Sequence, residues 1–155
     1  MQFLPVALNI TGKRILIIGG GKVALKKAKI LLNYTDNITL LAKDFLEEIF
    51  SELKEVKLIK KEYQKNDLNG FSIVYICTND EDLNRQIAED AKKLGLLVNV
   101  CDRKEISDFI SPAIYKKDNM SIAVSSNGED VKKSVFIRDR IKELFENGNI
   151  WWKRF

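Results

Sequence analysis

The chain has 155 residues, 45% of them hydrophobic and 31% charged, and carries a net charge of +4. This composition fits one folded domain with a small appendage and excludes a disordered chain. Histidine is absent, so a Ser-His-Asp triad, a His-ligated zinc or a His general base is impossible within this chain.

The opening "MQFLPVALNI" lacks the basic start and small-residue cleavage site of a signal peptide. No apolar run approaches the roughly 20 residues that a membrane-spanning helix needs. A cytoplasmic location with no membrane partner is therefore expected. Lys and Arg are spread along the chain and read as solvated faces, so nucleic acid is not expected as a partner. A modest cationic excess also suits a polyanionic small molecule.

Short aliphatic runs alternate with helical patterns. "RILII" is followed by Lys22 to Asn33, where Ala24, Ala28, Leu31 and Leu32 form one stripe and Lys22, Lys26, Lys29 and Asn33 lie opposite. "NITLLA" comes next, and Asp44 is placed to cap a second helix reaching Leu53. After "VKLIK" and "FSIVYIC", Asn79 or Asp80 caps a third helix that Gly95 stops, and "LLVNVC" closes the series. Unbroken apolar runs suit strands buried on both faces. The order predicts an α/β fold, a Rossmann-like doubly wound parallel sheet over residues 1–112. Cys77 and Cys101 each follow an aliphatic run and read as buried, reduced, inert thiols.

Beyond Pro112 the pattern changes. "AIYKK", the turn "DN" and "MSIAVSS" predict a hairpin, and "NGED" leads into a helix with Val131, Ile137, Ile141, Leu144 and Phe145 on one side, ended by Gly148. Two strands and a helix cannot bury a core alone. The segment 113–155 must therefore pack on the first domain or on a second copy, and Trp151 and Trp152 need a cover.

The segment "RILIIGGGKVA" carries the clearest chemistry. Gly19, Gly21 and Ala24 fit G-x-G-x-x-A: the first glycine permits the turn, the second admits a pyrophosphate, and the small third residue lets helix and strand pack. The helix amino terminus offers N–H groups to the phosphates. A strand before the motif and a helix after it supply the context the pattern requires. The acidic residue normally found at the end of the second strand falls on Ala42 or Lys43, with Asp44 just beyond. Lys43 would favour NADP by attracting a 2′-phosphate, and Asp44 would favour NAD by reaching the ribose. A solvated Lys43 with Asp44 as a helix cap is the third reading, so the spacing leaves the choice of coenzyme open.

Ligands in open α/β sheets sit beyond the carboxyl ends of the strands. Thr78, Asn79 and Asp80 arrive there after one strand, and Asn99 and Asp102 bracket the end of another. Capping accounts for Asn79 and Asp80. "DRKE" opens no apolar-periodic helix, which leaves Asp102 as the best-placed carboxylate for proton transfer beside a nicotinamide.

"FLPVALNITGKRILIIGGGKVALKKAKILL", "CTNDEDLNRQI", "NVCD", "DFISPAI" and "MSIAVSSNG" together resemble the precorrin-2 dehydrogenase family, the siroheme-synthase amino-terminal module, in the right order and to about Phe145. The resemblance implies NAD-dependent oxidation of precorrin-2 to sirohydrochlorin in siroheme or related tetrapyrrole biosynthesis. It implies Asp102 as the catalytic residue and nucleotide contacts from Gly19, Gly20, Gly21, Lys22, Val23, Lys43, Asp44, Thr78 and Asn79. Asn99 and Ser126 are the substrate-side candidates. The segment after Pro112 matches the family's dimerisation region, which implies a homodimer. A cationic rim for the polycarboxylate substrate would draw on Arg103, Lys104, Lys116, Lys117, Lys132 and Lys133.

Two departures stand out. Relatives often carry a further helical region after the dimerisation segment, where this chain stops, and Asp130-Val131 stands where a Ser-Pro step is common. Some relatives also insert iron into sirohydrochlorin; without histidine that step would rest on Asp102, no resident metal is expected, and chelation is left open. The rival reading from another class is a non-catalytic nucleotide-sensing Rossmann module. It would share the glycine loop but needs the missing second-strand acid and has no use for Asp102.

Overall fold

A computed structural model of the chain describes residues 1–147. The expected helix stop at Gly148 and the cover for Trp151 and Trp152 lie outside the described residues. Contacts divide the chain into Val6–Phe109 and a second unit made of Met1–Pro5 with the chain from Ile110 onward.

In the first unit the elements follow as β1 (Ile15–Ile18), α1 (Lys22–Leu31), β2 (Ile38–Ala42), α2 (Glu47–Glu52), β3 (Lys57–Lys60), β4 (Ile73–Ile76), α3 (Glu81–Lys93) and β5 (Leu97–Val100). The five strands form a parallel sheet in the order β3-β2-β1-β4-β5. Only a 3-10 turn over Lys65–Leu68 lies between β3 and β4.

The unbroken apolar runs have a simple cause. Successive side chains of a strand point to opposite faces, and both faces here are covered. Ile15, Ile17, Ile38, Leu40, Ile73 and Tyr75 pack on one side with Ala24, Ala28, Leu31 and Ile49 from α1 and α2. Leu16, Ile18, Leu41, Val74, Ile76, Val98 and Val100 pack on the other with Ile87, Ala88 and Ala91 from α3. Strand order reverses between β1 and β4, so the crevice at their carboxyl ends is the topological switch point where such sheets take ligands.

The helix ends follow the sequence unevenly. Asp80 caps α3 by accepting a hydrogen bond from the Leu83 N–H at 2.9 Å, Glu81 and Asp82 fill its first turn and Lys92 and Lys93 its last, and Gly95 stops it at φ +74°. Asp44 does not cap α2: that helix begins at Glu47 behind Leu46, with no side-chain cap. The reason lies in the glycine loop, which holds the Asp44 backbone in place, as described below.

Neither sheet edge is left as an open four-residue ladder of apolar side chains. β3 presents Lys57-Leu58-Ile59-Lys60. The outer edge of β5 is occupied by the chain just after it: the Val98 N–H donates to the Asp108 carboxylate, the Asp108 N–H donates to the Val98 carbonyl, and the Val100 N–H donates to the Ser107 hydroxyl.

The second unit holds the expected hairpin, β6 (Ala113–Lys117) and β7 (Met120–Val124), antiparallel with Lys117 opposite Met120. Asp118 supplies the positive φ of its tight turn. Helix α4 (Val131–Glu146) starts from Asp130, whose carboxylate accepts from the Lys133 N–H at 2.8 Å. One face of α4 meets the hairpin: Arg138 donates to the Ile114 carbonyl, and the Phe145 and Tyr115 rings lie 6.1 Å apart. The predicted apolar stripe is only partly covered. Ile141 and Phe145 are half-buried, whereas Val131, Ile137 and Leu144 stay exposed, with Phe136 at 63%. Met1–Pro5 joins this unit through the Phe3 N–H, which donates to Asn127 at 3.2 Å.

Candidate functional site

The three glycines of the loop have three different neighbourhoods. Gly19 sits at φ +133°, and a Cβ there would fall 2.5 Å from the Cys77 carbonyl oxygen, so β1 and β4 meet through it at the switch point. A Cβ on Gly20 would fall 1.9 Å from the Asp44 carbonyl oxygen, and the Leu46 N–H donates to the Gly20 carbonyl at 2.9 Å. A Cβ on Gly21 would meet nothing within 4 Å. The first two glycines serve the protein's own packing, and the third faces open space.

That space lies at the start of α1. Gly21 is its N-cap and offers no side chain, and the first turn holds no acid. The first N–H groups of a helix have no partner within it, and together with the helix dipole they favour an anion. Lys22 and Val23 are exposed there, and buried Ala24 packs against the sheet. The residues present thus fit a diphosphate.

Lys43 and Asp44 follow the end of β2, where the adenosine ribose of a dinucleotide would lie. Each is engaged from the neighbouring strand side: Lys43 pairs with Glu62 at 3.0 Å and Asp44 with Lys60 at 3.0 Å. The hydrogen-bonded carboxylate of Glu62 raises the Lys43 ammonium above the ordinary lysine range. Both pairs are exposed and weakly held.

Beyond β4, the Thr78 hydroxyl donates to the Asn84 side-chain Oδ1 at 2.5 Å and the Asn84 side-chain amide donates to the Thr78 backbone carbonyl at 3.0 Å. Asn79 is exposed beside it. Asn84 was not singled out in the sequence, although its signal was there. It is a polar residue in the stripe of Ile87, Ala88 and Ala91, and it is buried because it ties down the loop that carries Thr78.

Asp102 lies one residue beyond Cys101, on the exposed side of the turn that ends β5. The Arg103 N–H returns to the Val100 carbonyl at 3.2 Å, and Asp102 takes the third position of that turn at φ +66°. Such a turn calls for a left-handed residue, and aspartate tolerates that conformation better than most. Ser107, unremarked in the sequence, clamps the turn from behind. Its buried hydroxyl accepts from the Val100 N–H at 2.8 Å and donates to the Arg103 carbonyl at 2.9 Å. Ser107→Ala would strand the buried Val100 N–H, and a loss of about 1–3 kcal/mol is expected. The check is a lowered midpoint of urea unfolding at an unchanged slope.

Asn99 points into the protein. It is buried, its amide donates to the Phe109 carbonyl at 2.8 Å, and its Oδ1 is buried without a partner. Ser126 belongs to the second unit, at the end of β7, where its hydroxyl accepts from the Asp130 N–H and the Ser134 hydroxyl, each at 3.0 Å. Among the rim candidates, Arg103 is paired with Glu81. No three His, Cys, Asp or Glu side chains come together to hold a metal ion among the described residues, and no described helix is long and apolar enough to cross a membrane.

The sequence matches the family described as "Putative NAD(P)-binding" over residues 6–113. The chain belongs to this family. It is 35% identical over 150 residues to a siroheme synthase of Chromobacterium violaceum, covering 96% of this chain and 32% of that protein. A siroheme synthase of Psychrobacter cryohalolentis is 36% identical, with 96% and 29% covered. The chain thus spans about a third of the length of these curated relatives. Its fold matches the solved structure of SirC, a precorrin-2 dehydrogenase, with a TM-score of 0.77 and 26% identity over 94% of this chain and 70% of that one. The resemblance drawn from the separate motifs, the parallel sheet with its hairpin and helix, and the NAD(P)-binding character of the domain are all borne out.

Proposed function

We propose that the chain is an NAD-dependent dehydrogenase that oxidises precorrin-2 to sirohydrochlorin. The observation that carries this is an open, uncapped helix start at Gly21 in the same sheet edge as an exposed carboxylate, Asp102, held at a left-handed turn. The match to SirC across nearly the whole chain supports the same substrate.

The bound dinucleotide supplies the hydride acceptor. The chain's part is to hold it and to move the proton. Gly21 and the first N–H groups of α1 take the diphosphate. Lys43 already answers to Glu62, so a 2′-phosphate would have to displace a neighbouring carboxylate, and this favours NAD over NADP. Thr78 and Asn79 border the nucleotide at the end of β4. Asp102 accepts the proton released as the substrate is oxidised, as a carboxylate within hydrogen-bond reach can. The test is to mix the protein with precorrin-2 and NAD or NADP and follow reduced nicotinamide. Faster reduction with NAD is expected. Binding of either coenzyme with no reduction would overturn the reading in favour of a nucleotide sensor.

The exposed apolar residues of α4 support a homodimer through the hairpin and helix. Phe136, Ile137 and Leu144 share a face that a second copy would cover. Phe136→Asp is expected to shift the protein towards monomer in sedimentation, with the sheet unit still binding NAD.

A further inference from the structure

Two thiols stand side by side at the carboxyl edge of the sheet, and the dehydrogenation described above uses neither. β4 and β5 are paired with Ile76 opposite Val100, so Cys77 and Cys101 are the next residues out on each strand. Their sulfurs are 2.7 Å apart and unbridged. Neighbouring strands are spaced about 4.8 Å apart, inside the range of Cα separations that a disulfide spans. From this juxtaposition we infer that Cys77 and Cys101 form a reversible dithiol–disulfide switch on the coenzyme site.

Their surroundings differ in a way that assigns each sulfur a role. Cys77 is buried and Cys101 is partly exposed. The hydrogen bond between the two sulfurs, with the nearby Lys27 cation, holds the Cys101 thiol below its ordinary range against the opposing effects of burial and Asp102. The same bond and burial push the Cys77 thiol up. Cys101 is therefore the attacking thiolate and Cys77 the resolving thiol. The oxidant is a low-molecular-weight disulfide. The Cys101 thiolate attacks one of its sulfurs, forming a mixed disulfide and expelling one thiolate. Cys77 then gives its proton to solvent and attacks the Cys101 sulfur, expelling the second thiolate. The protein loses two electrons, and the small disulfide gains them as two thiols.

Closure matters because each cysteine immediately precedes a candidate site residue in the chain. The Cys77 carbonyl backs directly on Gly19, with no space even for a methyl group between them. Asp102 and Thr78 are the residues that follow the two cysteines. Drawing the sulfurs in to the roughly 2.05 Å of a disulfide pulls on the glycine loop and on the turn that carries Asp102 together.

The experiment exposes the full chain to oxidised glutathione, maps the cysteines by mass, and measures NAD binding before and after. The expected result is a peptide linked through Cys77 and Cys101, several-fold weaker NAD binding, and recovery of both with dithiothreitol. Cys101→Ser should bind NAD in the reduced state as the parent does and lose the response. Cys101→Ala serves if the serine variant folds poorly. A lasting glutathione adduct without the internal bond, no reaction, or an internal bond with unchanged NAD affinity would each overturn the switch. The inference rests on coenzyme binding by the glycine loop. Its cysteine map is read without precorrin-2, so its failure is distinct from failure of the proposed dehydrogenation.

Discussion

Asp102→Asn should abolish most turnover of precorrin-2, by about a hundredfold to ten-thousandfold, the range for loss of a general base. NAD affinity and thermal stability should stay close to those of the parent. Asparagine is the instructive replacement because residue 102 sits at φ +66°, where asparagine is at least as comfortable as aspartate. It keeps the turn and the shape and removes only the proton acceptor. Alanine at the same position would add backbone strain, so a loss of activity there would be ambiguous. Steady-state rates with NAD and precorrin-2, set beside a melting curve, check the point. Retained turnover in a folded Asp102→Asn protein would remove the carboxylate from the reaction.

The second large effect separates folding from binding within three consecutive glycines. Gly20→Ala places a methyl group 1.9 Å from the Asp44 carbonyl oxygen, and that oxygen belongs to backbone tied down by the Leu46–Gly20 hydrogen bond. The cost should reach about 3 kcal/mol, the upper end for forcing an extra methyl into a packed site. A lower unfolding midpoint, with coenzyme binding lost alongside it, is the expected reading. Gly21→Ala meets nothing in the folded protein and should cost about 1 kcal/mol or less through the poorer N-cap. Its methyl group would project into the space offered to the diphosphate, so NAD affinity should drop steeply in a protein of nearly normal stability. Equal behaviour of the two variants would contradict the division of roles.

How far the sequence reveals this arrangement depends on the range of the forces involved. Strands such as Ile15–Ile18 are legible because burial on two faces leaves no polar position, and the Asp80 cap is legible because it acts within one turn. Asp44 misleads for the opposite reason. Locally it looks like a cap, but a loop more than 20 residues earlier packs against its carbonyl and accepts from the Leu46 N–H, and α2 begins only after that contact. Asn84 and Ser134 were visible as polar breaks in apolar helical stripes, and both are buried. Ser107 gave no such signal, since its role arises only when the chain after β5 folds back along the strand. The Phe3 to Asn127 bond spans 124 positions and has no local trace. The stripe on α4 is readable, but Val131, Ile137 and Leu144 stay exposed within the described residues. Asp102 is proposed on elimination and family likeness. Its left-handed backbone, which makes the asparagine test clean, was not visible in the sequence.

The treatment of the sheet's two margins bears on how the protein behaves when crowded. Unpaired strand margins invite stacking with other chains. β5 is sealed by its own continuation from Ser107 to Asp108, and β3 is short and ends in lysines that would meet like charges on an approaching copy. Association by endless strand addition is thereby discouraged at both ends. The dimer proposed above would instead use a bounded patch on a helix, where association can stop at two.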